Sequence, residues 1–488
     1  MSFSTVTAAN VFIDLATFSE LEGFIYGGPD AVTWFVAAVQ KANWMSFVPI
    51  HLRHLGGVDF GHKNASAAVN RSGDYVLSIW FRCQIPQLQL QQRLPDGPGA
   101  FLPGDSSIRW TRNLMHNLFE KVNIEFNSLI VQEFDNYWLD FNFQFRVRGS
   151  KRVGYRNMIG DISSMTNPVG PSFITNPVPL GTGGFFSVPF PFWFGEDSGI
   201  ALPVAALPFN DIKVNYCFRR LEELLVVYPG HVFQGQTAAS FANVFVAGTN
   251  QKPALVDAHT NAHYAVVHND ERVKMGDAPR DMLIHQVQAV QCGYFKDLSS
   301  RSCFDIRLSH AIVLFCFAAQ NISILNVNGG SCGGEWSNYT TEPNYAGLDP
   351  IAYSTLVYEN TARIAQGSDY YSLIHPFYFS DAIPDETGYH MWSYSLKPWD
   401  PLKPAGSTNY SKLANVSIAH DASPAALHSI GVNTAVAGVP EGADGSPLVW
   451  PNTQGVDVPF PQKYRHIFQA RNWNIARVAN GSLGHPTL

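Results

Sequence analysis

Few residues in this chain have both the type and the spacing that chemistry needs. His51 and His54 lie three positions apart in a predicted strand, so their side chains point to opposite faces and are poorly placed to share a metal ion. His268, Asp270 and Glu271 form a polar cluster, but no further ligand follows nearby. We therefore expect both groups to have structural or solvated roles.

Two further stretches have the composition of a site for an anion or an acidic partner. The glycine-rich stretch 328–334 lacks the Lys-Ser/Thr ending and the following helix of a phosphate-binding loop. Arg465, Arg471 and Arg477 could contact an acidic neighbour, although single arginines on a strand more often lie on a solvated face. The sequence thus predicts no catalytic residue, no cofactor-binding residue and no metal ligand, and we do not expect an enzyme.

The cysteines and the N-x-S/T sequons also carry little chemical signal. The cysteines show no C-x-x-C spacing and are expected to be mostly buried thiols: Cys83, Cys217, Cys292, Cys303, Cys316 and Cys332. Residues 1–40 contain no Lys or Arg, so we expect no secretory signal and therefore no secretory glycosylation. The sequons are read as turn residues: Asn64, Asn70, Asn321, Asn338, Asn409, Asn415 and Asn480.

Composition restricts the possible partners. Charged residues make up 15% of the chain, below the roughly 25% that is usual for soluble domains, and the formal net charge is −7. This balance argues against sequence-independent nucleic-acid binding, and the longest apolar run (311–319) is too short to span a membrane. A soluble protein whose surface is largely covered by partners is expected; one large domain with a neutral surface is the alternative.

The elements that would position these residues are mainly strands. Alternating apolar residues predict strands over 44–51, 75–83, 141–148, 212–218 and 464–478, while 110–120 reads as a short helix. The stretch 367–417 is aromatic-rich and is predicted to form three antiparallel strands, with Trp392 and Tyr394 turned inward. Residues 167–208 and 423–461 read as long Gly/Pro-rich loops, with aromatic anchors in the first.

A weak internal repeat suggests a duplicated β-domain. Residues 280–290 can be laid over 41–52, and residues 309–321 over 74–86, at a period near 235 residues. Each pair consists of an apolar strand, a polar connection and a second, strongly apolar strand. Two sandwiches in tandem are therefore expected, although the sequence pattern alone does not select one type of sandwich.

Three stretches resemble a known family. These are "FIDLAT…E…IYGG" near the N-terminus, "GSDYYSL…PFY…AIP-ETGYH…YS" followed by "GSTNYSKLANVS", and "RNWNIARVANGSLG-PTL" at the end. They resemble the major capsid proteins of nucleocytoplasmic large DNA viruses, most closely the iridovirus branch, with ascovirus and marseillevirus relatives nearby. His485 departs from the pattern, where an aromatic or apolar residue is expected.

The resemblance implies an all-β fold of tandem (double) jelly-roll sandwiches with a few short helices in the connections. It also implies a structural subunit that forms homotrimers, and trimers that form pseudo-hexagonal capsomers tiling an icosahedral shell. The expected partners are neighbouring capsomers, minor capsid and penton proteins, and indirectly an inner membrane, with no direct nucleic-acid contact. The expected location is the outer capsid shell of the virion, assembled in the host cytoplasm.

The predicted division is an N-terminal arm (1–29), a first jelly roll (30–229) and a second jelly roll (230–488). The arm, which is acidic and free of Lys and Arg, is expected to lie beneath the shell and to meet minor capsid proteins, while the long loops are expected to form an outer tower or inter-subunit clasps. The alternative from another class is a jelly-roll carbohydrate-binding module or enzyme, which the abundant Trp and Tyr residues keep open.

Overall fold

The computed structural model describes residues 12–13, 15–37, 39, 41–91, 101–104, 106–167, 173–175, 184–228, 239–277, 279–290, 301–322, 334–342, 345, 347–431 and 463–484. The chain divides into two compact units, Met1–Trp44 and Met45–Leu488. Among the described residues, no helix has the length and apolar character needed to cross a membrane.

The N-terminal unit contains the short helix α1 (Glu20–Ile25). The backbone N–H of Ser19 donates to the Glu22 carboxylate over 2.7 Å, which satisfies one free donor at the start of the helix. Many of its large apolar side chains are exposed: Phe12, Ile13, Leu15, Phe18, Leu21, Phe24, Ile25, Tyr26, Val32, Trp34, Phe35, Val36 and Val39. This unit thus exposes many large apolar side chains.

The described part of the second unit begins with twelve strands. In chain order they are β1 (Met45–His54), β2 (Ala65–Ala68), β3 (Tyr75–Gln84), β4 (Leu88–Leu90), β5 (Ser107–Trp110), β6 (Phe119–Phe126), β7 (Leu129–Asp135), β8 (Phe185–Pro189), β9 (Ile212–Phe218), β10 (Leu225–Tyr228), β11 (Val244–Val246) and β12 (Val256–Val267). Ten more follow: β13 (Arg280–Val290), β14 (Arg301–Asp305), β15 (Ala311–Asn321), β16 (Ile351–Tyr358), β17 (Thr361–Gly367), β18 (His390–Ser393), β19 (Thr408–Asn409), β20 (Val416–Ala422), β21 (Tyr464–Ala479) and β22 (Ser482–Gly484).

The strands of the first half form two layers. The order is β1-β12-β3-β8 in one layer and β2-β9-β6-β7 in the other. The layers join at β1, whose residues pair with β12 up to Leu52, while Arg53 and His54 pair with β2. The short strands form two separate pairs, β4 with β11 and β5 with β10.

The second half repeats this order. Its layers are β13-β21-β15-β18 and β14-β20-β16-β17, with β19 added to β15 and β22 to β21. If the main strands of each half are numbered one to eight, both halves read 1-8-3-6 and 2-7-4-5. The two sequence matches pair first strand with first strand (β1, β13) and third with third (β3, β15). The predicted duplication is therefore confirmed by the connectivity.

The boundary predicted between residues 229 and 230 does not fit this pairing. Strand β12 lies on its far side, yet β12 is hydrogen-bonded to both β1 and β3 of the first half. Because the stretch before β12 is mixed and polar, the boundary was predicted ahead of the strand that completes the first sheet. Residues 256–267 therefore belong with the first half.

Each half packs its layers around aromatic side chains. In the first half, Phe81 on β3 lies 5.3 Å from Phe119 on β6 and 5.6 Å from Phe218 on β9, measured between ring centroids. In the second half, Phe304 on β14 lies 5.5 Å from Phe468 on β21. Burying such rings is the main apolar gain of a sandwich.

The α-helices of the second unit lie in the connections between strands. They are α2 (Leu114–Asn117), α3 (Asn136–Arg146), α4 (Gly149–Ile159), α5 (Ser163–Thr166), α6 (Asn269–Asp277), α7 (His375–Phe379) and α8 (Pro424–Gly431). Of the short helix predicted over 110–120, residues 114–117 are confirmed as α2, whereas Trp110 lies in β5 and Phe119 and Glu120 lie in β6. The strands predicted over 212–218 and 464–478 are confirmed as β9 and β21.

Two strand predictions are wrong. The alternating stretch 141–148 lies in α3 and the turn after it, because Asp135 caps the helix by accepting a hydrogen bond from the Trp138 N–H over 2.9 Å. The first run of 367–417 is also helical: Tyr370–Ile374 forms a π-helical turn that continues into α7. Of the three strands predicted there, β18 and the short β19 are present, and β20 begins at Val416 near the end of the stretch. Trp392 and Tyr394 are half-buried against the second core.

The predicted loops are partly described. Within 167–208, the aromatic anchors are confirmed: Phe186, Phe190, Phe192, Trp193 and Phe194 are buried. That stretch also contains β8, which the proline and glycine content obscured. Most of the predicted loop 423–461 lies outside the described residues.

Candidate functional site: a buried polar interface between the two halves

Helix α3 is the centre of the polar side chains that meet between the two halves. Its residues Tyr137, Trp138, Phe141 and Phe145 are all buried, so the helix has no solvated face. Phe141 contacts Tyr389 of the second half at 5.8 Å between centroids, with the rings perpendicular. A helix enclosed in this way must satisfy every polar side chain that it carries from within the protein.

Asp140 is the most enclosed of these groups. Its carboxylate accepts hydrogen bonds from Asn113 Nδ2 (3.0 Å) and His116 Nδ1 (2.7 Å) in the first half. It also accepts from Ser337 Oγ (2.7 Å) and the Tyr339 hydroxyl (3.2 Å) in the second half. Burial, followed by the proximity of Asp140, raises the pKa of Tyr339 well above its ordinary value, so this hydroxyl remains a donor. One carboxylate thus ties the two halves together.

A second group pairs arginines of the first half with carboxylates of the second. Arg112 binds Asp161 over 3.1 Å and reaches Glu386 over 2.5 Å. Arg156 donates to Glu386 over 2.8 Å and to Asp385 over 3.0 Å. Burial raises the pKa of Glu386 despite these cations, and Arg112 keeps a raised pKa because the two carboxylates outweigh its desolvation.

A third group surrounds Glu196. Arg471 Nη2 of the second half donates to its carboxylate over 2.6 Å, and Arg146 Nη1 donates over 3.0 Å. Burial alone would raise the pKa of Glu196, but Arg471 and then Arg146 outweigh it and lower the pKa to about 2. His285 also faces this group, and burial followed by Arg471 lowers its pKa to about 4, so the imidazole is neutral.

The irregular segment 334–342 of the second half places a further set of side chains against the first half. Glu335 is fully buried and pairs with Arg109. The Trp336 indole N–H donates to the Glu223 carbonyl over 2.7 Å, and the Arg219 guanidinium lies 3.7 Å above the same ring. Burial raises the pKa of Glu335 although Arg109 opposes the shift.

The carboxylates of these groups are each held by a partner inside the protein. Within the described ranges, no group of three or more His, Cys, Asp or Glu residues is placed to hold a metal ion. A cleft of about 660 Å³ lies beside α3 and α4, but Arg146 and Glu196 in its wall already bind each other. Removing one partner of a buried ion pair lowers the stability of a protein by about 3–5 kcal/mol. The ion pairs of this interface therefore hold the two sandwiches in one orientation.

The histidines considered in the sequence do not form a site. His51 is exposed and its ring lies 5.3 Å from His259, whereas His54 binds Thr260 Oγ1 over 2.8 Å. His268 is exposed beside Asp270 at the start of α6. The glycine-rich stretch 328–334 lies outside the described residues except for Gly334.

The C-terminal arginines find their acidic or polar partners inside this chain. Arg471 is fully buried and forms an ion pair with Glu196. The expectation that it lies on a solvated strand face was therefore wrong. Arg465 binds Gln320 Oε1 over 3.1 Å and also contacts the Tyr137 hydroxyl. Arg477 is exposed and pairs with Asp281 over 2.6 Å.

Of the described cysteines, Cys83 and Cys316 are buried as predicted, whereas Cys217 is half-buried and Cys303 is exposed. Burial raises the pKa of the Cys83 and Cys316 thiols, which keeps them protonated. Sequence reasoning missed Asp140, Glu196 and Glu335. The available signal was a lone acid within an aromatic run, as in the stretch 137–145 around Asp140.

Comparisons with known proteins agree with this architecture. The family described as "Major capsid protein N-terminus" matches residues 33–256, and "Large eukaryotic DNA virus major capsid protein" matches residues 271–484. The gap between these matches contains most of β12 and the start of α6.

Proteins named "Major capsid protein" match along their whole length. That of Costelytra zealandica iridescent virus is 42% identical, covering 100% of both chains. That of Lymphocystis disease virus 1 is 38% identical, covering 99% of both.

Among solved structures, the PBCV-1 virus capsid superposes with a TM-score of 0.65 at 17% identity, covering 93% of this chain and 100% of that one. The Faustovirus major capsid protein gives a TM-score of 0.65 at 11% identity, covering 92% of this chain and 93% of that one. The fold is therefore a double jelly roll, as predicted. The chain belongs to the major capsid proteins of large eukaryotic DNA viruses, and its relatives are those of iridoviruses.

Proposed function

We propose that this capsid protein is a homotrimeric building block, and that its trimers form pseudo-hexagonal capsomers tiling an icosahedral shell. The observation that carries the proposal is the duplication: both halves have the strand order 1-8-3-6 and 2-7-4-5. Three copies around one axis present six sandwiches of the same connectivity, which approximates sixfold symmetry while the assembly remains a closed ring.

The polar interface supports the same function. A pseudo-hexagonal outline requires the two sandwiches of one chain to keep a fixed angle. The ion pairs of Glu196 and Glu386 across the halves supply that rigidity, because sliding one half would leave buried charges unpaired.

The partners follow from this role. Neighbouring capsomers would contact the sandwich flanks, minor capsid and penton proteins would contact the inner side and the vertices, and an inner membrane would lie beneath without direct contact. The protein acts in the virion shell after assembly in the host cytoplasm, has no direct contact with nucleic acid and is not an enzyme. We propose an arm, a first jelly roll that extends to Val267, and a second jelly roll that follows.

Light scattering after size-exclusion chromatography tests the trimer. A mass about three times the 53.9 kDa of the chain is expected at micromolar concentration. A stable monomer would contradict the proposal. Negative-stain images of the same sample should show hexagonal outlines, and specific binding on a glycan array without such outlines would favour a carbohydrate-binding module instead.

A further inference from the structure

The first jelly roll covers the outer face of one sheet of the second. On β21, Phe468 packs in the core of the second sandwich, whereas Gln469 points to the opposite side of the sheet and donates to Asp135 of β7 over 2.8 Å. Gln320 of β15 is also buried and accepts a hydrogen bond from the Tyr137 hydroxyl of α3 over 3.3 Å. The fifth main strand of the first half and the helical connection after it therefore cover β13-β21-β15-β18.

The equivalent sheet of the first jelly roll has an exposed outer face, called here the open face. This sheet, β1-β12-β3-β8, joins the same four main strands, 1-8-3-6. Phe47 on β1 is 56% exposed, and Pro49 is exposed opposite the exposed His263 of β12. The His263 ring lies 4.4 Å from the half-buried ring of Trp80 on β3, measured between centroids. Among the described residues, the side chains of this face thus remain exposed where those of its counterpart are covered.

The second half has its own version of the covering surface. Its fifth main strand is β17, and residues 368–389 form the helical connection after it. In the first half, Phe141 and Phe145 of this connection are both 0% exposed. In the second half, the connection instead exposes large apolar side chains: Leu373, Ile374, Phe377, Tyr378 and Ile383. Clustered apolar side chains of this kind are typical of a surface that binds another protein.

The two surfaces also complement each other in charge. On the open face, Arg53 and Arg82 alternate with buried apolar residues of β1 and β3. The four strands of that sheet contain one acidic residue, Asp257. Residues 368–389 contain four acidic residues and no Lys or Arg, and Asp369 is exposed among them. A surface that is apolar and acidic thus matches one that is apolar and basic.

We propose that β17 and residues 368–389 of one copy dock on the open face of the next copy, which rests on the proposed homotrimer and names the surfaces that close it. The contact between copies repeats the contact that joins the two halves of one chain, so all six sandwiches meet through one kind of interface. Because the contact is head-to-tail, three copies use every open face and every connection in a closed ring.

Light scattering over a dilution series of the full chain tests the open face. Phe47→Asp/His263→Glu places two carboxylates opposite an acidic surface, so the concentration at which the trimer dissociates should rise about tenfold or more. The matched variant Phe101→Asp/His62→Glu changes an exposed Phe and an exposed His elsewhere in the first half, and it should leave the trimer unchanged. Equal dissociation of the two variants would overturn the docking.

Thermal unfolding shows whether each variant folds. If Phe47→Asp/His263→Glu does not fold, the single variants His263→Glu and His62→Glu replace the pair. A monomeric wild type would refute the trimer itself, whereas a wild-type trimer that tolerates every folded open-face variant would refute the docking alone.

Photo-crosslinking identifies the segment that docks. Benzoylphenylalanine in place of His263 should join two copies on irradiation, and the crosslinked peptide should come from residues 361–389 of the other copy. The same group in place of His62 should give no crosslink to that segment. Crosslinks from the first position to other segments only, or none in a sample that is trimeric, would overturn the docking.

Discussion

Glu196 shows at the residue scale why acidic and basic side chains are retained inside this protein. The carboxylate lies between Arg146 of the first half and Arg471 of the second, and all three are largely removed from water. Burying these ions costs several kcal/mol, and the cost is recovered only while every partner is present. Glu196 therefore favours one arrangement of the halves over all others more than it adds to total stability.

Replacing Glu196 by Gln should destabilise the chain by about 3–5 kcal/mol, because Arg471 then keeps a buried charge with no counter-ion. Urea unfolding at pH 7 measures the change, with Asp270→Asn on the exposed start of α6 as the control. Adding Arg471→Met to Glu196→Gln should recover part of the loss, since the fully buried guanidinium is then gone and the cation left without Glu196 is the partly exposed Arg146. Equal stability of Glu196→Gln and the wild type would show that the ion pair does not hold the halves.

The same carboxylate predicts a pH dependence. Its pKa is lowered from an ordinary 4.5 to about 2, so its contribution is complete above pH 4.5 and is lost as the pH falls towards 2. The linked loss amounts to roughly 3 kcal/mol. Below pH 4.5 the stability of Glu196→Gln should therefore fall less steeply with pH than that of the wild type. Parallel profiles would contradict this assignment.

At the scale of elements, the same connection is helical in both halves. The link between the fifth and sixth main strands contains α3 to α5 in the first jelly roll, and the π-helical turn with α7 in the second. These connections meet at the interface: the Ala382 N–H donates to the Phe145 carbonyl over 3.0 Å, and Arg152 binds the Ile383 carbonyl over 2.6 Å. The helical connections of the two halves thus contact each other at the interface between the sandwiches.

The helical segment before and within α7 also has an apolar outer face. Leu373, Ile374, Phe377 and Tyr378 are exposed, whereas Tyr371 and His375 face inward. Phe377→Asp/Tyr378→Asp should weaken self-association at least tenfold without changing the thermal unfolding of the monomer, if this face contacts a second copy. Light scattering over a dilution series measures it, with Val273→Asp on α6 as the control. An unchanged trimer would place the inter-subunit contact elsewhere.

Strand patterns were predictable where one face of a strand is apolar or where the strand is long. Strand β9 alternates along its whole length, and β21 has a long run without Gly or Pro, so both were identified near their true bounds. Helix α3 could not be identified in the same way. Phe141, Phe143 and Phe145 are all buried because the helix is enclosed on every side, so their alternation carries no information about the period.

The polar interface was beyond sequence reasoning for a different reason. Asp140 and Ser337 are 197 positions apart, and Glu196 and Arg471 are 275 apart. Such pairs exist only after both halves have folded and docked, and no local spacing indicates them. The resemblance identified the fold, but the residues that join the two sandwiches come together only in the folded structure.

At the scale of the whole molecule, two compact units have different surface chemistry. Met45–Leu488 encloses most of its large apolar side chains, whereas Met1–Trp44 exposes Trp34, Phe35 and Phe24. A segment with this much exposed apolar surface is typical of a binding arm rather than of an independent domain. Its lack of Lys and Arg up to residue 40 favours a partner with basic and apolar surface, as we propose for a minor capsid protein.

Deleting residues 1–30 should leave trimers intact but prevent incorporation into shells, because the core strands all begin after Trp44. Light scattering measures the trimer, and fractionation of particles from infected cells that also express a tagged variant measures incorporation. The length-matched variant Phe24→Ser/Ile25→Ser distinguishes apolar recognition from a need for chain length, and it should be excluded from shells as well. Loss of the trimer on deletion would instead show that the arm stabilises contacts between sandwiches, and normal incorporation would show that the arm is dispensable for assembly.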